Sequence, residues 1–179
     1  KRLYFIRHGE SEFNKADIWA GSSDTPLTAK GQEQAKQAGL KAKQDGLVFD
    51  VIITSPLTRA HETAKHVSAA VGIPHDQIVT YDGLVERDFG KLEGRKDLVA
   101  ATKYYLNEAA IDSTDGVESL ADLQRRAVEV LSYLQSLPQD SILIVSHGAI
   151  GRALRRAINE EPLNKRGTKF HNAELVRFI

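Results

Sequence analysis

The sequence contains no cysteine and no methionine among its 179 residues. The lack of cysteine excludes disulfides, thiolate metal sites and redox chemistry at sulfur. Basic and acidic side chains balance at 24 each, which disfavours nucleic-acid binders and membrane-surface proteins, because both classes usually carry a basic excess. No apolar run approaches the roughly 20 residues that span a bilayer, and residues 1–6 hold too short an apolar stretch for a signal peptide. We expect a cytoplasmic protein without nucleic-acid or membrane partners.

Residues 1–179 are predicted to form a single domain. The length suits one domain, and the sequence shows no repeat, low-complexity tract or linker. The chain opens without a methionine and stops inside a predicted strand, so we expect residues to be missing at one or both ends.

Apolar patterns alternate between strand-like and helix-like segments. Strands are predicted at residues 3–6, 51–54, 142–145 and 173–179, with shorter extended pieces at 77–80 and 83–85. Helices are predicted at residues 27–44, from Ser55-Pro56 onward, from near Ser119 and at 149–158. This order predicts an α/β fold, a three-layer sandwich with a mostly parallel central sheet and helices on both faces. Residues 91–117 have the weakest pattern and are expected to form an insertion over one end of the sheet.

Charged and imidazole side chains follow three of the predicted strands. Arg7 and His8 follow the first strand, Arg59 follows the second, and His147 follows the third. Ligands of open parallel sheets bind outside the carboxyl ends of the strands. Arginine suits a phosphate dianion because its planar fork donates two hydrogen bonds and stays charged, and histidine can act as a nucleophile near neutral pH. The spacing therefore predicts an anion site, provided that the three strands are neighbours.

Five motifs in order make the chain resemble the histidine phosphatase superfamily, also called the phosphoglycerate mutase-like fold. The motifs are Arg7-His8-Gly9-Glu10-Ser11 with Asn14, the segment 21–31 containing Asp24-Thr25-Pro26-Leu27-Thr28, Ser55-Pro56-Leu57-Thr58-Arg59-Ala60 with Thr63-Ala64, Leu84-Val85-Glu86-Arg87-Asp88-Phe89-Gly90 with Glu93-Gly94, and Ser146-His147-Gly148. A lone Arg-His-Gly would be weak, whereas the ordered set is specific. The resemblance runs from Leu3 to about Ile158.

The resemblance implies a role for each matching residue. His8 is expected to attack phosphorus and carry the phosphoryl group, while Arg7, Arg59 and His147 bind the phosphate oxygens. Glu86 is expected to protonate the leaving oxygen and then to activate water. Substrate contacts are expected from the remaining matched positions, namely Ser11, Asn14, Phe89 and Gly148. No metal and no cofactor are expected, and the partner is a small-molecule phosphate monoester.

Two activities compete within this family. Cofactor-dependent phosphoglycerate mutases are longer and carry an arginine pair in the insertion, whereas residues 104–115 of this chain contain no arginine. Asp97 replaces a family lysine, and Phe89 replaces a family tyrosine. These departures favour a phosphatase with a more apolar pocket, for which the expected lining is Phe13, Ile18, Trp19, Phe89, Tyr104 and Tyr105. The substrate is left open between a sugar phosphate, a nucleotide-derived phosphate such as α-ribazole phosphate, and a broad set of monoesters.

Two further interpretations stay in view. The mutase activity is one alternative, and a catalytically idle phosphate binder that kept the fold is another. The histidines outside the motifs are expected on the surface or in loops, and the pairs Arg125-Arg126 and Arg155-Arg156 are expected on solvated helix faces. Residues 90–96 lack the spacing of a nucleotide-binding phosphate loop, and no Gly-x-Ser-x-Gly elbow is present.

Overall fold

The computed structural model describes residues 1–179 and alternates strands with helices, as predicted. The strands are β1 (Arg2–Arg7), β2 (Val51–Thr54), β3 (Ile78–Thr80), β4 (Ser141–Ser146) and β5 (Leu175–Arg177). The α-helices are α1 (Glu12–Lys15), α2 (Ala29–Gln44), α3 (Thr58–Val71), α4 (Leu98–Leu106), α5 (Leu120–Ser136) and α6 (Gly148–Asn159). None of these helices combines the length and the apolar character needed to cross a bilayer.

The sheet brings the carboxyl ends of three strands together. Its order is β3-β2-β4-β1-β5, in which the first four strands run parallel and β5 runs antiparallel to β1. The ladder continues past the strand ends, since the His8 N–H donates to the Ser146 carbonyl at 3.0 Å and the Ser55 N–H donates to the Val145 carbonyl at 3.0 Å. The strands predicted to deliver the functional residues are therefore direct neighbours.

Helices cover both faces of the sheet. Residues of β4 from Ile142 to Val145 are fully buried and alternate between two cores, because successive side chains of a strand point to opposite faces. Ile142 and Ile144 pack with α5 and α6, whereas Leu143 and Val145 pack with α2 and α3. The predicted three-layer sandwich is confirmed.

Two glycines allow the loop after β1 to lie on the start of α2. A Cβ atom at Gly9 would come within 2.3 Å of the Gly31 carbonyl oxygen, and one at Gly31 would come within 2.0 Å of the Glu10 carbonyl oxygen. No side chain fits at either contact. Gly31 thus lets the loop that carries His8 pack directly on the first turn of α2.

Three local predictions are wrong. Helix α3 begins at Thr58 and not at Pro56, because Asp24 accepts hydrogen bonds from the Thr58 N–H and hydroxyl, both at 2.8 Å. Residues 83–85 are not extended, since Asp82–Leu84 form a 3-10 turn. The C-terminal strand is limited to β5. The insertion contains α4, and its apolar side chains pack against α5 and α6.

Candidate active site

His8 presents an unprotonated ring nitrogen at the end of β1. Its Nδ1 lies 2.6 Å from the Gly9 carbonyl oxygen. A carbonyl only accepts, so Nδ1 carries the proton and Nε2 holds a free lone pair. The side chain is buried, and this burial, together with the charges of Arg7 and Arg59, holds the pKa of His8 well below its ordinary value of 6.5. His8 is therefore a neutral imidazole with a fixed tautomer, the form needed for nucleophilic attack.

The main chain around His8 is held from two sides. The Gly9 N–H donates to the Thr63 hydroxyl at 3.0 Å, and that hydroxyl donates to the Arg59 carbonyl at 2.7 Å. The Asn172 side-chain amide donates to the His8 carbonyl at 3.1 Å. The nucleophile is thus tied to α3, which carries Arg59, and to the segment before β5.

Arg7 and Arg59 bring two guanidinium groups to the same place. Arg7 Nη1 donates to the Phe170 carbonyl at 2.8 Å. Arg59 Nη1 and Nη2 donate to the carbonyls of Ser23 and Gly21 at 2.7 and 2.6 Å. Each arginine also has a buried Nε–H without an acceptor in the protein. Burial lowers the pKa of both arginines below its ordinary value, and the Glu86 charge opposes that shift.

His147 adds a third donor from the end of β4. Its ring centroid lies 5.1 Å from that of His8, and its Nε2 lies 2.8 Å from the Ser55 hydroxyl oxygen. That hydroxyl already accepts the Leu57 N–H at 3.2 Å, so its own proton is available to His147 Nε2. Burial and the Arg59 charge hold the pKa of His147 well below 6.5. The buried Nδ1 then carries the proton and has no acceptor in the protein.

Glu86 lies at the N-terminus of α6. Its Oε2 accepts from the Ala149 N–H at 3.1 Å, and its Oε1 accepts from the Ile150 N–H at 3.1 Å and from the Arg87 N–H at 2.9 Å. The first N–H groups of a helix have no partner within the helix, and the helix dipole favours an acceptor there. Backbone donors thus place this carboxylate beside the two arginines.

Buried contacts anchor the loop that carries Glu86. The Arg126 guanidinium donates to the carbonyls of Gly83 and Val85 at 2.8 and 2.7 Å, and the Ser146 hydroxyl donates to the Leu84 carbonyl at 2.6 Å. Arg126 was expected on a solvated helix face, and that expectation is wrong, because the loop folds back over α5 and uses the guanidinium as its anchor.

Seven of the nine predicted site residues line one cavity of about 550 Å³, whereas His147 and Ser11 do not. Those that line it are Arg7, His8, Asn14, Arg59, Glu86, Phe89 and Gly148. All six apolar and aromatic residues expected in the pocket also line it, namely Phe13, Ile18, Trp19, Phe89, Tyr104 and Tyr105. No group of three or more His, Cys, Asp or Glu side chains is arranged to hold a metal ion.

Ser11 does not reach this cavity. It is fully buried, and its hydroxyl accepts the Asn14 N–H at 3.1 Å while the Asn14 Oδ1 accepts the Ser11 N–H at 3.1 Å. This reciprocal pair is the capping box of α1. The structure therefore places Ser11 as a helix cap that orients Asn14, whose side-chain amide borders the cavity.

The expected apolar character of the pocket is wrong in one respect. Arg152, Arg166 and Lys169 line the cavity together with the aromatic residues. Arg156, expected on a solvated face, is buried and donates from Nη1 to Glu108 Oε2 at 2.8 Å. Sequence reasoning missed these cations because helical spacing alone does not show that the insertion covers this face of α6. The sequence did contain one indication of Arg152, because this residue follows the predicted site residue Gly148 by one helical turn.

Comparisons with known proteins agree with this geometry. The chain matches the histidine phosphatase superfamily (branch 1) over residues 3–179. A 2,3-bisphosphoglycerate-dependent phosphoglycerate mutase of Parvibaculum lavamentivorans is 38% identical over 164 residues, which cover 85% of this chain and 77% of that protein. Bacillus stearothermophilus YhfR has a TM-score of 0.82 at 27% identity and is matched over 96% of this chain and 87% of its own. A phosphoserine phosphatase of Entamoeba histolytica has a TM-score of 0.74 at 26% identity, over 98% of this chain and 89% of its own.

These matches extend over nearly the whole chain, as do the five sequence motifs and the residues gathered around His8. The chain belongs to the histidine phosphatase superfamily, branch 1.

Proposed function

We propose that this protein hydrolyses phosphate monoesters through a phosphohistidine intermediate on His8. The observation that carries the proposal is the set of buried N–H donors without a protein acceptor on Arg7, Arg59 and His147, next to the unprotonated Nε2 of His8. Three such donors, two of them on cations, suit the three oxygens of a phosphoryl group.

In the first step, the lone pair of His8 Nε2 attacks phosphorus. The nitrogen–phosphorus bond forms while the bond from phosphorus to the leaving oxygen breaks, and Glu86 passes to that oxygen a proton that the substrate brings to the site as its monoanion. Negative charge spreads over the equatorial oxygens in the transition state, where Arg7 and Arg59 stabilise it.

In the second step, water replaces the histidine. Glu86, now ionised, accepts a proton from the attacking water as the new phosphorus–oxygen bond forms and the nitrogen–phosphorus bond breaks. Inorganic phosphate leaves, and His8 returns to its neutral form. The hydrogen bond from Nδ1 to the Gly9 carbonyl keeps the same ring orientation through both steps.

Phosphoglycerate mutase activity is the second candidate, because the curated relatives at 34–38% identity carry that name. Mutase activity returns the phosphoryl group to a bound phosphoglycerate and not to water. We prefer hydrolysis because the insertion lacks the arginine pair of the mutases and because Asp97, at the matching place of a family lysine, lines the cavity. Apart from Arg7 and Arg59, the cations that line the cavity come from α6 and the segment after it.

The test is turnover of para-nitrophenyl phosphate in the presence of EDTA, with wild type beside His8→Ala and His171→Ala. His171 is an exposed histidine outside the site. We expect release of nitrophenol from wild type and His171→Ala and none from His8→Ala. If wild type releases none but interconverts 3-phosphoglycerate and 2-phosphoglycerate after addition of 2,3-bisphosphoglycerate, the mutase candidate is correct. Binding of phosphate without either activity would show that the protein is a catalytically idle phosphate binder.

A further inference from the structure

Arg152 is a buried cation that reaches the cavity from the second turn of α6. It is 6% exposed, and its Nε donates to Glu108 Oε1 at 2.7 Å while its Nη2 donates to the Tyr104 hydroxyl at 2.5 Å. Both partners belong to the insertion at residues 91–117. Two hydrogen bonds from different atoms of a planar group fix its orientation, so the insertion determines where this guanidinium points.

The remaining nitrogen of this guanidinium is free and lies at the catalytic end of the cavity. Nη1 makes no hydrogen bond within the protein, and it lies 3.4 Å from the position that a Cβ atom would take at Gly148. The same position lies 3.7 Å from Arg7 Nε. Arg152 thus presents an N–H donor next to the residues that surround His8.

The charge of Arg152 is not fully balanced by its own partner. Glu108 accepts from both Arg152 and Arg156, at 2.7 and 2.8 Å, so one carboxylate faces two guanidinium groups. Burial raises the pKa of Tyr104 to about 12, so the phenol that faces Arg152 stays neutral. Glu86 also acts on Arg152, but the cavity lining as a whole carries five cations against three carboxylates, and this excess favours an anion in contact with it.

Two more cations border the cavity beside Arg152. Arg166 and Lys169 lie 5.3 and 5.8 Å from the centre of the Tyr105 ring, and neither forms an ion pair. Their segment lies next to Arg152, since a Cβ atom added at Gly167 would lie 3.4 Å from Arg152 Cγ. Arg7 and Arg59 are assigned to the phosphoryl group in the proposed function, so Arg166 and Lys169 are available for another part of the substrate.

We propose that Arg152, with Arg166 and Lys169, binds a second anionic group on the leaving alcohol of the substrate. The inference rests on the proposed function and names its substrate class, phosphate monoesters whose alcohol carries its own carboxylate or phosphate. A neutral alcohol would leave the free Nη1 of Arg152 desolvated without a partner, which is the usual way in which a polar site rejects a substrate lacking the matching group.

Paired substrates test the preference. Glycerol 3-phosphate and 3-phosphoglycerate differ only in one CH₂OH replaced by a carboxylate, and propane-1,3-diol monophosphate and bisphosphate form the corresponding pair for a phosphate. In at least one of the two pairs, we expect wild type to have a kcat/KM at least about tenfold higher for the substrate whose alcohol carries a second anionic group. One charge-assisted hydrogen bond to that group would provide a difference of this size. Hydrolysis of neither pair nor of para-nitrophenyl phosphate would overturn the proposed function and this inference with it.

Variants separate binding of the second anion from general damage. Arg166→Ala combined with Lys169→Ala should lower kcat/KM for the doubly anionic substrate about tenfold more than for its partner, mainly through KM. Arg152→Lys, which keeps the charge but loses the fixed fork, should shift the ratio in the same direction. Lys165→Ala is the matched control, since Lys165 lies in the same segment but pairs with Glu161. The inference would be overturned if wild type had equal kcat/KM values for the two substrates of each pair. It would also be overturned if the variants lost kcat/KM equally for both substrates of a pair. Neither result would contradict the proposed hydrolase activity.

Discussion

Two neutral histidines buried beside two arginines make the stability of this protein depend on pH. The pKa values of His8 and His147 lie well below 6.5 in the folded chain because of burial and the neighbouring arginines. In the unfolded chain these histidines take up protons near pH 6.5. The unfolded state therefore binds more protons below that pH, so the free energy of unfolding falls as the pH is lowered through 6.5 toward the folded-state values.

The size of the effect follows from the linkage relation. A histidine that is protonated only in the unfolded state lowers the free energy of unfolding by up to about 1.4 kcal/mol per pH unit. Integration from pH 6.5 to pH 5 gives up to about 1.7 kcal/mol for each histidine that stays neutral when folded. His8→Gln removes one of the two groups, and its side-chain amide can still donate to the Gly9 carbonyl.

The assay is urea unfolding of wild type, His8→Gln and His171→Gln, followed by circular dichroism at several pH values between 5 and 7. Wild type should lose up to about 1.9 kcal/mol more than His8→Gln between pH 7 and pH 5, and His171→Gln should behave like wild type because His171 is exposed. Carboxylates contribute equally to all three proteins and cancel in the comparison. Parallel curves for wild type and His8→Gln would refute the assignment of His8 as a buried neutral histidine.

Two other substitutions test how the structure positions the site. Arg126→Ala removes the anchor of the Glu86 loop and should lower kcat about 10- to 100-fold, because small displacements of a catalytic group have effects of that size. KM for para-nitrophenyl phosphate should change little, and Arg125→Ala, at the exposed neighbouring residue, should match wild type. An unchanged kcat in Arg126→Ala would contradict the anchoring role. Gly31→Ala would place a methyl group 2.0 Å from the Glu10 carbonyl oxygen and should lower the free energy of unfolding by about 1–3 kcal/mol in urea titrations. In Gly167→Ala the new methyl group has ordinary contacts of 3.4 Å, and a loss as large as that of Gly31→Ala would argue against the close-packing explanation.

The sequence predicted this site best where the functional side chains lie at the ends of strands. Apolar runs located β1, β2 and β4, and residues at or shortly after the ends of these strands form the predicted group of Arg7, His8, Arg59 and His147. Local patterns suffice there because a parallel strand is buried on both faces and its end lies at the sheet edge where ligands bind. The positions of these four residues thus follow largely from the strands that precede them, whereas Glu86 is placed by contacts with α6.

Prediction was poorer where long-range contacts decide a side chain's role. Ser55 looked like a helix cap, but its hydroxyl contacts His147 while Asp24 caps α3 from 34 residues away. Arg152 and Arg156 looked like part of an ordinary amphipathic helix, and only the packing of the insertion brings Glu108 between them. Such pairings involve tertiary contacts that helical periodicity does not contain.

Direct observation of the phosphorylated enzyme tests the central claim most sharply. Wild type and Glu86→Gln would be mixed with para-nitrophenyl phosphate, quenched in alkali to preserve an acid-labile phosphohistidine, digested and analysed by mass spectrometry. We predict one phosphoryl group per chain, on the peptide that contains His8, with greater accumulation in Glu86→Gln if removal of the base slows the hydrolytic step more than the first. Phosphate release without any labelled His8, or a label on His147 in its place, would contradict the mechanism.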